Sequence, residues 1–245
     1  MSANANTDTL GATPQSAPFA RDEHIDFYRG LAFVNMAVFH FVFDLQLLQV
    51  IDFNIFTNPY TIAWRGYIVT SFLLFVGVSL AISQSKQTIL SKTNTKLLLA
   101  SLAVSVATYI AYPSAWIYFG ILHFILFAKI VAFPFAKKAY VSLIFGFIIL
   151  LLFTQIGSWN PFQPFYGQYF IPKYTFDMVN IVPWLGVVFV GIFLGHFPYY
   201  KKLPILTDNR WGAGISWCGQ NALLLYLTHQ TALFPMAYFV KFLQG

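Results

Sequence analysis

Long apolar stretches, separated by short polar segments, run through most of this chain of 245 residues. Each stretch is roughly 17–25 residues long, the length that an α-helix needs to cross the hydrocarbon core of a bilayer. The pattern predicts an all-α polytopic membrane protein, a bundle of about seven transmembrane helices. The predicted spans are about 27–50, 64–83, 96–112, 115–133, 139–156, 181–197 and 217–242.

The composition supports this class. The chain is 58% hydrophobic and only 9% charged, with a mean hydropathy of +0.65, whereas soluble domains carry roughly 25% charged residues. No polar stretch is long enough to build a separate soluble domain. Residues 1–20 are polar and of low complexity, without the basic start and apolar core of a signal peptide. We therefore expect a disordered N-terminal tail over 1–20 and a single transmembrane domain over 21–245.

Lysine and arginine concentrate in alternate loops, those between spans two and three, four and five, and six and seven. Because cytoplasmic loops are enriched in these residues, we expect a cytoplasmic N-terminus and, with seven spans, an extracytoplasmic C-terminus, in the cell (inner) membrane. The net charge of +6 follows this loop pattern and does not indicate nucleic acid binding, so the lipid bilayer is the expected partner.

His40 and Asp44 lie in the middle of the first span. An ionisable side chain at such a depth costs roughly 2.5–3.5 kcal/mol on insertion scales and is usually functional. As an i,i+4 pair the two side chains can touch, and a carboxylate that holds one imidazole nitrogen leaves the other free as a general base. We predict His40 and Asp44 as catalytic residues. The alternative is that Asp44 is structural, paired with Arg65 across the first outer loop.

Further polar residues lie at comparable depths or at the ends of spans. His123 and His229 fall near the midplane or its outer half, and Asn221 lies deeper toward the inside. Arg29 is about three helical turns from His40 on the same face. We predict substrate- or cofactor-binding roles for Arg29, Arg65, His123, Asn221 and His229. Taken alone, either histidine is equally consistent with a helix–helix hydrogen bond, and Arg29 with an interfacial residue that snorkels.

No metal or nucleotide motif is present. The chain has no glycine-rich phosphate loop, HExxH or GxSxG. Its single cysteine, Cys218, excludes an internal disulfide and a cysteine-based metal cluster. The three histidines at similar depth have no metal-specific spacing, so no metal site is predicted.

Five apolar motifs occur in a particular order. They are RGLAFVNMAVFHFVFDL at 29–45, FLLFVGVSL at 72–80, FGILHFI at 119–125, VPWLGVVFVGIFLG at 182–195 and GQNALLLYLTHQ at 219–230. Together they resemble the heparan-alpha-glucosaminide N-acetyltransferase catalytic-domain family, in its bacterial form, over nearly all of residues 21–245. The arginine and histidine of the first motif are also similar to a signature of the wider membrane acyltransferase superfamily.

The resemblance implies transfer of an acetyl or other acyl group from acyl-CoA inside to an acceptor outside, usually a sugar or glycan. Arg29 would hold a coenzyme phosphate, and about 16 Å of helix would separate it from His40. His40 would deprotonate the acceptor, with Asp44 orienting it. The thioester oxygen or the acceptor would be bound by His123, Asn221 and His229.

Two other functions are compatible with the same residues. A proton-coupled permease would use His40, Asp44, His123 and His229 as a relay, although no inverted repeat is visible. A non-catalytic membrane subunit would need none of them. Because the outer loops are few, a homo-oligomer or a partner protein is expected to help select the acceptor.

Overall fold

The computed structural model describes residues 22–83, 91–168, 170–206 and 209–244, so the predicted tail over 1–20 lies outside the described residues. Within this part the chain forms eight α-helices and no strand. They are α1 (Glu23–Leu47), α2 (Pro59–Ile82), α3 (Lys92–Ala111), α4 (Ile121–Ala132), α5 (Ala139–Ile156), α6 (Ile181–His196), α7 (Arg210–Gln220) and α8 (Ala222–Leu243). The predicted all-α class is confirmed.

Seven of these helices are apolar enough to match the predicted spans. Five of them (α1, α2, α3, α5 and α8) are long and apolar enough to cross a membrane, while α4, extended by a short 3-10 turn, and α6 are shorter apolar helices. The prediction was wrong at the start of the seventh span. The helix is interrupted at Asn221, between α7 and α8, where the side-chain amide of Asn221 also donates to the Trp217 carbonyl at 2.9 Å. The apolar pattern runs across this break and conceals it.

Side-chain caps fix where several helices begin. The carboxylate of Asp22 accepts from the backbone N–H groups of His24 and Ile25 at the start of α1. The side chain of Asn58 caps α2 just before Pro59, and Asn209 caps α7 through Gly212. Each cap satisfies a backbone N–H that has no partner within its own helix.

The bundle has two ends, which we call upper and lower. At the lower end the Tyr200 hydroxyl donates to Asp22 at 2.7 Å, and a His196 ring nitrogen bonds the Ala136 carbonyl. At the upper end the segments 112–120 and 157–180, the upper segments, pair through backbone hydrogen bonds. With 12 residues, α4 is only about 18 Å long, short of a hydrocarbon core of about 30 Å. The upper segments continue the chain above it.

Glycines bring α2 and α6 into backbone contact at the centre of the bundle. A Cβ added at Gly77 would overlap the carbonyl oxygen of Val188, and one added at Gly191 would overlap that of Leu74. Small residues allow membrane helices to approach each other this closely. The buried core around it, including Phe124 of α4, joins α2, α4 and α6.

The helix α1 packs against α7 and α8 at the side of this core. A Cβ added at Gly30 would overlap the carbonyl of Ile215, and one at Gly219 would overlap that of Asp26. These contacts hold α7 against the lower half of α1. Beyond the break at Asn221, α8 lies along the upper half of α1, where the two helices share polar residues.

Candidate active site

Two imidazole rings meet between α1 and α8. The ring centroids of His40 and His229 lie 5.0 Å apart, with an angle of 69° between the planes. His229 also lies against Phe33, 6.4 Å away. Similar depth was the sequence argument for grouping these two histidines, and the structure brings them together.

The hydrogen bond of His229 fixes which ring nitrogen is free. Its Nδ1 lies 2.6 Å from the carbonyl oxygen of Tyr226. A carbonyl only accepts, so Nδ1 carries the hydrogen, and Nε2 of the neutral ring is then an unprotonated acceptor. In the described part of the chain this Nε2 is buried and has no hydrogen-bond partner. His229 is therefore held as a proton acceptor.

Asp44 contacts an amide and not the imidazole that the sequence suggested. Its carboxylate is 0% exposed, and its two oxygens accept from Nε2 of Gln230 at 2.6 and 2.8 Å. No hydrogen bond joins Asp44 to His40 within the described segments. Arg65 is exposed and forms no ion pair with Asp44 there. We call the four residues His40, Asp44, His229 and Gln230 the α1–α8 seam.

His123 lies near the upper end of α4, where it contacts α3. Its Nε2 is 3.0 Å from the hydroxyl of Ser105, and that hydroxyl also lies 2.7 Å from the carbonyl of Ile117. The single hydroxyl hydrogen goes to the carbonyl, so His123 donates from Nε2 and its Nδ1 is an acceptor. This Nδ1 is buried without a partner among the described residues.

Asp177, in the second upper segment, connects α4 to α8. Its Oδ2 accepts from the backbone N–H of Ile121 at 2.8 Å and from the hydroxyl of Tyr226 at 3.3 Å. Burial raises the pKa of the Asp177 carboxyl, while the bonds from Ile121 and Tyr226 and the charge of Arg65 oppose the shift. Arg65 is thus placed near the upper segments and not in the seam.

A second polar group lies at the lower end. Arg29 contacts Asp26 at 3.4 Å and donates to the hydroxyl of Ser79 at 3.0 Å. The half-buried Lys129 of α4 is close enough for its charge to repel that of Arg29. Two cations and the Asp26 carboxylate therefore lie near one another at the lower end of the bundle.

Sequence reasoning placed Asn221 in the binding group, but the structure places it at the junction of α7 and α8. It missed Lys129, Gln230, Tyr226 and Asp177. Lys129 is a cation within an apolar span and Gln230 an amide beside His229, and both were detectable by the criterion that selected His40. The contacts of Asp177 with α4 and α8 had no sequence signal, because it lies in a loop about 50 residues from either partner.

Within the described ranges no three His, Cys, Asp or Glu side chains are grouped so that they could share a metal ion. A polar hollow of about 540 Å³ lies at the upper end of α1. It is lined by Gln46, Gln49, Ile51, Asp52, Phe53 and Asn54.

These features define a multi-pass membrane protein with a cluster of polar side chains between its helices. A sequence model of one family, described as heparan-alpha-glucosaminide N-acetyltransferase, catalytic, matches residues 21–231. The chain belongs to this family and is therefore a membrane acetyltransferase, as the five ordered motifs predicted. No curated protein and no solved structure matches the chain.

Proposed function

We propose that this protein transfers an acyl group, in the first place acetyl, from acyl-CoA on the cytoplasmic side to a sugar or glycan acceptor on the other side. The observation that carries the proposal is the pair of imidazoles at the α1–α8 seam, in which His229 presents an unprotonated Nε2. Such a nitrogen beside a second imidazole suits the removal of a proton from an acceptor hydroxyl or amine.

The donor enters from the lower end in this proposal. Arg29 and Lys129 hold phosphate groups of the coenzyme, since two neighbouring cations offset a multiply charged anion. Arg29 and His40 are eleven residues apart on α1, which is about 16 Å along the helix. An extended pantetheine arm covers that distance and brings the thioester to the seam.

The chemistry is a direct acyl transfer. The imidazole pair of His40 and His229 takes the proton of the acceptor, whose oxygen or nitrogen attacks the thioester carbonyl. The bond between carbon and sulfur breaks, and the coenzyme leaves as a thiolate that receives the proton. Asp44, one helical turn from His40, stabilises the imidazolium electrostatically while Gln230 holds its carboxylate.

The remaining predicted residues have supporting roles. The Nδ1 of His123 is a buried hydrogen-bond acceptor, which suits it to bind a hydroxyl or amine of the molecule that receives the acyl group. Arg65, exposed near the upper segments, meets that molecule on its approach. Asn221 keeps a binding role in the proposal, toward the coenzyme, since it lies about two helical turns below His229.

The proposal includes a location and an orientation. The protein lies in the cell (inner) membrane, and its lower end, which carries the lysine-rich loops, faces the cytoplasm. The N-terminus is then cytoplasmic and the C-terminus extracytoplasmic. A second copy or a partner protein extends the acceptor surface at the upper end.

The test is thioester turnover by purified protein in nanodiscs, followed as free thiol release from acetyl-CoA with a panel of sugars and amino sugars. We expect turnover in the wild type, at least a hundredfold loss in His40→Ala and in His229→Ala, and wild-type rates in the control His24→Ala. Turnover that survives both seam variants would refute the assignment of the base. Flux of a solute driven by a pH gradient, without thiol release, would indicate a permease instead.

A further inference from the structure

Two adjacent residues of α8 each hold a buried acceptor atom that has no partner among the described residues. They are Nε2 of His229 and Oε1 of Gln230. Both residues contact α1, His229 through His40 and Gln230 through Asp44. A buried polar atom without a hydrogen bond costs about 1–3 kcal/mol, and folded proteins contain few of them. Two such atoms side by side indicate that a ligand completes the site.

The orientation of the Gln230 amide follows from its neighbour. The amide nitrogen donates to the two Asp44 oxygens at 2.6 and 2.8 Å, and an amide oxygen in its place would bring acceptor atoms of both groups into contact. The amide nitrogen therefore faces Asp44 and the oxygen points away from it. This leaves Oε1 as an acceptor that only an external donor can satisfy.

The charge of the seam limits which chemical groups can bind there. Asp44 is completely buried, and in the described segments the ion pairs are Arg29–Asp26 and Lys201–Asp22, so no cation pairs with it. A seam that offers two free acceptors beside an unpaired carboxylate favours groups that donate hydrogen bonds and rejects anionic groups.

We propose that Gln230 determines acceptor specificity by binding, through Oε1, a second hydrogen-bond donor group of the acceptor, a hydroxyl distinct from the group that is acylated. The inference rests on the proposed function, because it places the acylated group at His229 Nε2. The site then takes polyhydroxylated acceptors and discriminates against those that lack the second hydroxyl. The polar hollow above α1 is consistent with an approach from the upper end.

The experiment compares variants with substrate analogues. The probes are methyl glucosaminide and the analogues of it that each lack one hydroxyl. The variants are Gln230→Met, which keeps the volume without the amide, and Gln230→Lys, which keeps a donor toward Asp44 without an acceptor. The control is Gln155→Met, because Gln155 is an exposed amide at the end of α5. For each combination of variant and probe we would measure kcat and KM. The affinity of each variant for acetyl-CoA, and for the probe in the absence of acetyl-CoA, would be measured separately.

In wild-type protein we expect one deoxy analogue to lose about 10- to 100-fold in kcat/KM. Gln230→Met should lose a similar factor with methyl glucosaminide but no further factor with that analogue, while its affinity for acetyl-CoA is unchanged. Gln155→Met should behave as the wild type. If Gln230→Met fails to fold, Gln230→Lys, which still donates to Asp44 but has no acceptor atom, should likewise lose the discrimination among the analogues.

Some outcomes would overturn the inference. One is that the wild-type protein neither acylates nor binds any probe. Another is that the deoxy analogues lose the same factor in kcat/KM in the wild type and in Gln230→Met. Probe binding that depends on Gln230, in a protein without thioester turnover, would keep the binding site and refute the proposed transfer reaction. Transfer to the probes with no dependence on Gln230 would refute this inference alone.

Discussion

The Asp177 carboxylate is expected to tie α4 to α8, and replacing it tests this role directly. In Asp177→Ala the backbone N–H of Ile121 loses its cap, which costs about 1 kcal/mol. The hydroxyl of Tyr226 loses its acceptor as well, which costs roughly 1–3 kcal/mol if it stays buried. We therefore expect a loss of about 2–4 kcal/mol in the free energy of unfolding.

The conservative variant separates geometry from charge. Asp177→Asn keeps an oxygen that accepts from both Ile121 and Tyr226, so its loss should stay below about 1 kcal/mol. The assay is denaturant unfolding of the detergent-solubilised protein, with Asp52→Ala as a control because Asp52 is exposed. Equal losses in Asp177→Ala and Asp177→Asn would refute the capping argument, as would a neutral Asp177→Ala.

Asp177, the glycines of α2 and Lys129 each give a further outcome that can be measured. Burial raises the pKa of the Asp177 carboxyl above its usual 3.8. The contribution of Asp177 to the free energy of unfolding should therefore be full below about pH 4 and lost as the pH rises through the raised pKa. Unfolding measured as a function of pH should show this loss of stability in the wild type and not in Asp177→Asn. Gly77→Ala should lower the free energy of unfolding by about 1–3 kcal/mol, because the new Cβ would overlap the backbone of α6. Gly66→Ala on the same helix meets no neighbouring atom and should raise the free energy of unfolding by about 0.5–1 kcal/mol. Thermal unfolding of both variants tests this, and an equal change in the two would contradict it. Lys129→Met should weaken acetyl-CoA binding about 10- to 100-fold with Lys129→Arg near wild type, measured by calorimetry beside the exposed control Lys173→Met.

The sequence allowed most residues of the candidate site to be predicted, but not which of them contact each other. Depth along the spans grouped His40 with His229, because two helices that run the same way through a bilayer place residues of equal depth at one level. The i,i+4 spacing also made a contact between His40 and Asp44 geometrically available. It did not show that Gln230 competes for the same carboxylate, since that depends on the rotation of α8 about its own axis.

The sequence by itself determined the class of protein, because the length and apolarity of a membrane span are local properties that the bilayer thickness selects. It also determined the family, through five motifs in order. Tertiary structure alone decided the capping of α4 by Asp177 and the pairing of Asp44 with Gln230. Each of these depends on atoms far apart in the chain that meet only when helices pack, and apolar patterns carry no information about which polar atoms will meet.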